Sequence, residues 1–513
     1  MTISSPRLQR NQLIDLTVTG LAFGGKGIAR LGDQPGDFVV FVTGAVPGDV
    51  VRARVLKNKK RYAEARAEEL LTPSPDRLAA RCPSFGECGG CVWQTLDYGV
   101  QLEYKASQVR ESLEHIGGLH DFDLRPIVGM ADPWRYRNRA DFSIGMSDEG
   151  AVIGFRPPGR WDSVLPLSEC HLMNPATEQV RATVEAWLRE NDLPGWDPRT
   201  GSGYARHLLV RSARRGGQVI ASLVTAPGLS PGSPGSAGNL PGAARLVDRI
   251  CSTHPEVVGV LHAVNGGSAE ISAGLPSKTL WGRSYLLEEV AGITVKVSID
   301  AFFQTNTLMA HALYGLVARE AGLTGGDAGG GASAVGAASA AGDASAGAAD
   351  NDAPDGGPPV VWDLYSGVGS IGLSLAGRAG AVLGIEAVPA AVEDAKGNAR
   401  LNGIENAHFV EGDVAKVLRA AADGERKLPP GLERPDVIVV DPPRAGLSKK
   451  AISRIGEVGA PRIVYVSCNP ATMAPNAAEF GAYGYRLVRV TPVDMFPHTP
   501  HVEAVALMSR GDD

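Results

Sequence analysis

Few residues in this chain of 513 carry obvious chemistry, and the cysteines are the most informative, because there are only six. Cys468 closes the apolar run "IVYVSC" and is followed by Asn469-Pro470, so a thiol stands where a strand stops. A lone cysteine of this kind is ordinarily a small buried hydrophobe, and only its surroundings can make it a nucleophile. Cys82, Cys88 and Cys91 crowd into "CPSFGECGGCVW", and Cys170 in "LSECHL" offers a fourth thiolate, with His171 beside it as a weaker donor. So sparse a set does not make a disulfide framework; in a reducing compartment such thiols bind metal or react. Zinc ribbons use two close pairs, whereas this pattern has three thiols together and one remote. Cys251, in a helical context, reads as plain core.

A second group is acidic. "SGVGSIG" contains Gly367-Val368-Gly369-Ser370-Ile371-Gly372, a GxGxxG turn that lets a ligand approach the backbone. Glu386 follows at the end of the next apolar run, Asp413 after the one beyond, and Asp441 opens "DPPR". A carboxylate at Glu386 suits ribose hydroxyls, as in nicotinamide enzymes. The two further acids favour S-adenosylmethionine, which presents an adenine amino group and an amino-acid cation. The alternative for Glu386 and Asp413 is a helix cap or a loop charge. Near the C-terminus "HTPHVEAV" offers His498, His501 and Glu503.

These residues need elements to hold them. From Val360 the chain alternates strand and helix: "VVWDLY", "SIGLSLAGRA", "AVLGIEA", "AVEDAKGNARLNG", "AHFVEGD", "DVIVVDPP", "RIVYVSC". That order predicts a doubly wound sheet with ligands at the carboxyl ends of its strands. Asp363, Glu386, Asp413, Asp441 and Cys468 all fall at such ends. Residues 13–71 alternate in five short stretches separated by Gly, Pro and Asp, the pattern of a small OB-like β-barrel. Seven basic residues lie there between Arg52 and Arg66, with Glu64 the only acid among them, suited either to a phosphate backbone or to a solvated face. The fold class is therefore α/β with an N-terminal barrel. The expected division is 9–72 barrel, 73–298 central β-rich region with the cysteines, and 299–513 cofactor-binding domain; a helix over 97–116 is expected to pack on the last. The Gly/Ala-rich stretch 325–358 has nothing to bury and is expected to be a disordered insertion. A net charge of −6 excludes a globally basic nucleic-acid binder, and no apolar run approaches a membrane span, so a cytoplasmic protein without membrane partners is expected.

In this order, "DLYSGVGSIGL", "DPPRAGLS", "YVSCNPATMAPN" and "VDMFPHTPHVEAV" resemble the RNA uracil-C5 methyltransferases of the RumA/TrmA group, and "DAFFQTN" (residues 300–306) resembles the segment that opens their catalytic domain. The resemblance implies a Rossmann-like domain that binds S-adenosylmethionine through Gln304, Tyr365, Ser370, Glu386, Asp413 and Asp441. It implies Cys468 as the nucleophile that adds to carbon 6 of uracil, activating carbon 5 toward the methyl group, and Glu503 as the base that removes the carbon-5 proton. An unperturbed thiol ionises near ~8.5, so a local field favouring the thiolate is expected. His498 and His501 are left between packing and RNA contact, and Arg444 between phosphate contact and plain surface. Cytosine-C5 enzymes resemble the same sheet but carry two active-site cysteines, and Cys468 is the only cysteine after Cys251. The barrel resembles a TRAM domain, an RNA-binding module. Cys82, Cys88, Cys91 and Cys170 match the arrangement that holds a 4Fe–4S cluster in the iron–sulfur branch, with zinc as the alternative. Members with barrel and cluster together act mostly on 23S rRNA, the simpler ones on tRNA; a monomer is expected. Two readings compete with the enzyme: a non-catalytic RNA-binding or ribosome-assembly factor, and a nicotinamide oxidoreductase with an iron–sulfur centre. The latter leaves the barrel and "SCNP" without a purpose.

Overall fold

A computed structural model describes residues 8–32, 37–228, 239–323 and 357–511. Most of the Gly/Ala-rich stretch therefore lies outside the described residues. The chain divides into two compact units. The first comprises the described residues up to Gln108 with Phe496–His501, the second Val109–Met495 with the described residues from Val502 onward.

In the first unit, β1 (Leu13–Leu21), β2 (Gly27–Leu31), β3 (Phe38–Thr43), β4 (Val50–Asn58) and β5 (Tyr62–Thr72) close a barrel in the order β1-β2-β3-β5-β4. Alternate residues, among them Leu16, Val18, Val40, Val42, Val51, Ala53, Ala63 and Ala65, fill its interior, as the two-residue side-chain period of a strand dictates. The basic strip does not lie bare. Register sets Arg52 opposite Asp15 and Glu69, and its guanidinium bonds both at 2.9–3.1 Å. Arg54 pairs with Glu68 at 2.7 Å, and Lys26 with Glu64 at 2.8 Å. Uncompensated charge remains at the β4–β5 turn, where Lys59, Lys60 and Arg61 are exposed, and at exposed Arg66 on β5; among the described residues none of the four has an acid within ion-pair distance. The distant segment Phe496–His501 belongs to this unit too. Val92 and Trp93 donate their N–H groups to the His498 carbonyl at 3.0 and 3.1 Å, and Gln101 accepts from the His498 N–H at 3.0 Å. His498 is thus a packed residue in a left-handed turn (φ +63°).

The helix expected over 97–116 runs as α1 (Tyr98–Glu111) and a π-turn (Ser112–Ile116). Its Val109 and Leu113 belong to the core of the large sheet of the second unit. After β6 (Asp123–Leu124) come β7 (Arg139–Ser147), β8 (Gly150–Phe155), β9 (Leu165–Pro166), α2 (Pro175–Glu190), β10 (Ala205–Ser212), β11 (Val219–Thr225), α3 (Ala243–Thr253), β12 (Val257–Val264) and β13 (Ser277–Gly282). They build a seven-stranded sheet, β13-β12-β11-β10-β7-β8-β9, with α2 and α3 burying an apolar core against it. A hairpin of β14 (Tyr285–Val290) and β15 (Ile293–Ser298) leads to α4 (Thr307–Glu320).

The remainder is β16 (Val360–Leu364), α5 (Ser370–Ala376), β17 (Ala381–Glu386), α6 (Pro389–Leu401), β18 (Ala407–Glu411), α7 (Val414–Ala422), β19 (Val437–Val440), α8 (Lys449–Val458), β20 (Arg462–Ser467), α9 (Pro470–Phe480), β21 (Tyr485–Val493) and β22 (Glu503–Arg510). Its sheet has the order β18-β17-β16-β19-β20-β22-β21-β6, with β16 to β20 parallel and β22 antiparallel to β20. Chain order reverses between β16 and β19, which opens a crevice at the carboxyl edge. Because β22 runs the other way, its first residue, Glu503, arrives at that same edge, next to the Ala504–Ser467 pair.

Candidate active site

The GxGxxG turn follows β16. Gly369 is left-handed (φ +80°), and a Cβ there would stand 2.8 Å from the Phe409 ring, so only glycine fits. Tyr365, between strand and turn, also takes a positive φ (66°), a strain that persists only where the surroundings enforce it. Glu386 pins the turn: its carboxylate accepts from Gly367 N at 2.9 Å and from Val388 N at 2.8 Å. Each oxygen keeps a further lone pair for a ligand hydroxyl. Ser370 opens α5 and shares a 2.8 Å hydrogen bond with the Tyr314 hydroxyl.

Asp413 does what the alternative reading held: its Oδ1 caps α7 by accepting from Lys416 N at 3.0 Å, and the residue is exposed. It is still close enough to Tyr365 that its charge, added to burial, pushes that phenol up to about 12. Gln304 is buried in the segment between β15 and α4. Asp363, wholly buried, accepts from Gly372 N at 2.8 Å, while its other oxygen has no partner among the described residues. Burial, with Asp441 and Glu386 nearby, raises Asp363 to about 7. Asp363 was visible in the sequence only as a strand-end acid.

At the other side of the switch point are Cys468, Asp441 and Glu503. Asn469 caps α9 and its amide, with the Thr472 hydroxyl, holds the Arg444 carbonyl at 3.2 and 3.3 Å. The turn bearing Cys468 and the one following Asp441 are thereby fastened together. Burial lifts Asp441 to about 7. Glu503 rises to about 8, through burial and then the Asp441 charge, against the opposing pull of Arg444. The expected thiolate-favouring field is reversed here: burial, Glu503 and Asp441 push Cys468 up to about 11, and Arg444 alone opposes them among nearby charges. The cause is plain, since two poorly solvated acids lie close to the thiol. A cation placed among them favours the charged form of all three groups.

Comparison with known proteins shows which family the chain belongs to. Residues 356–511 match the tRNA (Uracil-5-)-methyltransferase family and residues 7–67 the TRAM domain. An RNA methyltransferase of Halalkalibacterium halodurans is 34% identical over 98% of both chains. One from Nitratidesulfovibrio vulgaris is 36% identical over 97% of this chain and 96% of its own. This chain belongs to the RNA uracil-C5 methyltransferase family. The crystal structure of Pyrococcus abyssi tRNA (uracil-54, C5)-methyltransferase in complex with S-adenosyl-L-homocysteine is similar at 25% identity and a TM-score of 0.68, covering 96% of this chain and 100% of that one. The protein is an S-adenosylmethionine-dependent RNA methyltransferase of the uracil-C5 type, with the RNA engaged by its TRAM and methyltransferase domains. Among the described residues no helix is long and apolar enough to cross a membrane.

The cysteine group is divided between the units. Cys82, Cys88 and Cys91 lie in the first, half-buried, in the loop between β5 and α1. Gly90 N–H points at Cys88 Sγ at 3.4 Å, and burial raises the Cys88 thiol, with Cys82 adding to the effect. Cys170 belongs to the second unit, where Arg135 holds its carbonyl at 3.2 Å. The His171 ring faces Arg135 and Glu169 at 3.3 and 3.4 Å. Among the described residues no three His, Cys, Asp or Glu side chains converge on a metal-sized point.

Proposed function

We propose that the protein methylates carbon 5 of a uridine in 23S rRNA through a covalent bond between Cys468 and carbon 6 of the base. The observation that carries this reading is the gathering of Cys468, Asp441 and Glu503 at one strand edge, where the charges of Glu503 and Asp441 raise Cys468 and that of Asp441 raises Glu503. The thiolate of Cys468 forms a C–S bond to carbon 6, and the displaced electron pair makes carbon 5 an enolate carbon. S-adenosylmethionine supplies the methyl group as an electrophilic sulfonium and leaves as neutral S-adenosylhomocysteine. The Glu503 carboxylate then takes the carbon-5 proton; the C–H electron pair restores the ring double bond and expels the thiolate. A base raised to about 8 is well matched to that proton transfer near neutral pH. Asp441 and Arg444 set the local charge, one against and one for ionisation of the thiol.

Gln304, Tyr365, Ser370, Glu386, Asp413 and Asp441 are assigned to the cofactor. Cys82, Cys88, Cys91 and Cys170 are assigned as thiolate ligands of a 4Fe–4S cluster, supported by three cysteines in one ten-residue loop and an N–H directed at one sulfur. No catalytic step passes through the cluster. The functional division is a barrel (9–72), a cluster-bearing region (73–298) and a cofactor domain (299–513). The Pyrococcus abyssi relative acts on tRNA, so the test offers both RNAs. With labelled S-adenosylmethionine and separate rRNA and tRNA pools, 5-methyluridine should appear in the 23S fraction. Label confined to tRNA would move the substrate, and label in neither would remove the assignment.

A further inference from the structure

The seven-stranded sheet contains an arginine that its own fold does not explain. Arg211, on β10, is 2% exposed, and among the described residues it has no carboxylate within ion-pair distance. Burial and the cross-strand neighbour Arg139 weaken its hold on its proton, against the opposing charges of Asp141 and Asp300. A charge so placed is destabilising unless its donors are well used. They are spent on one segment: Nε donates to the Ile299 carbonyl at 3.3 Å and Nη2 to that of Ala301. The rigid guanidinium fork spans two carbonyls two residues apart, which a lysine cannot do.

The adjoining strand takes hold of the same segment further on. Asn138, just before β7, donates Nδ2 to the Gln304 carbonyl at 2.8 Å and to the Thr307 hydroxyl at 3.0 Å. Its backbone N–H donates to the Thr305 carbonyl at 2.8 Å. Asn138 is itself tied to the residue after Arg211, because Ser212 N–H donates to its carbonyl at 2.9 Å. Residues 299–307 are thus a strap fastened at both ends to β7 and β10, with buried Gln304 between the fastenings. Within the strap Asn306 caps α4 and reaches the Met495 carbonyl at 3.1 Å. On α4 is Tyr314, bonded to Ser370.

We propose that Arg211 and Asn138 are positioning residues for the S-adenosylmethionine site, holding the strap so that Gln304 meets the cofactor; this rests on the assignment of Gln304 as a cofactor contact. Neither residue touches the cofactor itself. The sheet that carries them therefore contributes a wall of the catalytic pocket as well as its own core.

The test uses the full chain and four single variants: Arg211→Met, Arg211→Lys, Asn138→Ala and, as control, Gln304→Ala. S-adenosylhomocysteine binding is measured by calorimetry, and KM for S-adenosylmethionine and kcat by methyl transfer. Gln304→Ala and Arg211→Met should each weaken binding about tenfold, the size expected when a hydrogen bond to a charged group is lost. KM should rise by a similar factor with kcat changed less than about threefold, and Arg211→Lys should recover part of the loss. Asn138→Ala should act in the same direction, and decides the matter if Arg211→Met does not fold. Binding within about twofold of wild type in the folded strap variants, beside a weakened Gln304→Ala, overturns the proposal, as does a fall in kcat with KM unchanged. Undiminished binding by Gln304→Ala removes the cofactor assignment and the proposal with it.

Discussion

Burial and the Glu503 charge hold the Cys468 thiol in its uncharged form, burial and the Asp441 charge do the same for Glu503, and this has a measurable consequence. Glu503 must be ionised to accept a proton, and Cys468 must lose one to attack. Both ionise well above their ordinary ranges, at about 8 and about 11. The rate at low cofactor should therefore rise with pH through about 8, and saturating S-adenosylmethionine, a cation, should move the profile to lower pH. Glu503→Gln should abolish the Glu503-dependent limb, slow turnover by about 10²–10⁴-fold, and leave a protein–RNA adduct that does not resolve. A flat profile from pH 6 to 9, or free turnover by Glu503→Gln, would take the base role away from this residue. Sequence singled out Cys468, Asp441 and Glu386 as candidates because each stands at a strand end or inside a recognisable motif, and Glu503 through the family resemblance. It could not reveal the direction of the field at Cys468. That direction depends on two acids brought there by separate strands, and burial has no local signature.

Elements were legible where side chains alternate or recur with a clear period. The five barrel strands and the parallel strands β16 to β20 fall where the apolar patterning puts them. The two-residue strands β6 and β9 carry no such pattern. Ion pairing across strands was equally invisible: between Arg52 and Arg66 the sequence shows seven bases and one acid, yet Asp15, Glu68 and Glu69 arrive from β1 and β5 and neutralise part of the strip. The barrel's contribution to RNA affinity should therefore come mainly from the β4–β5 turn. Replacing Lys59, Lys60 and Arg61 together by alanine should weaken RNA binding and flatten its salt dependence by about 0.7 for each phosphate no longer neutralised. Arg52→Ala should have a much smaller effect. Equal losses in the two variants would contradict this division of the barrel surface.

For the molecule as a whole, what sequence conceals is the traffic between distant stretches. Phe496–His501 joins the N-terminal unit although it lies a few residues from Glu503, and His498 is fixed there by backbone and glutamine hydrogen bonds, which no motif announces. Arg211 and Asn138 serve a segment more than eighty residues away. The four cysteines likewise come from stretches far apart in the chain, three in the first unit and one in the second. Protein purified without oxygen should be brown, absorb broadly near ~400 nm and contain about four irons and four sulfides per chain. Colourless, zinc-loaded protein would contradict the cluster.

The most direct test of the covalent mechanism replaces the target uridine by 5-fluorouridine, whose fluorine cannot be removed as a proton. Incubated with S-adenosylmethionine, wild-type enzyme should become trapped on such RNA as a denaturation-resistant complex carrying the transferred methyl group, and Cys468→Ala should not. Failure of the wild-type enzyme to form that complex, on an RNA it otherwise methylates, would contradict attack by Cys468 on carbon 6.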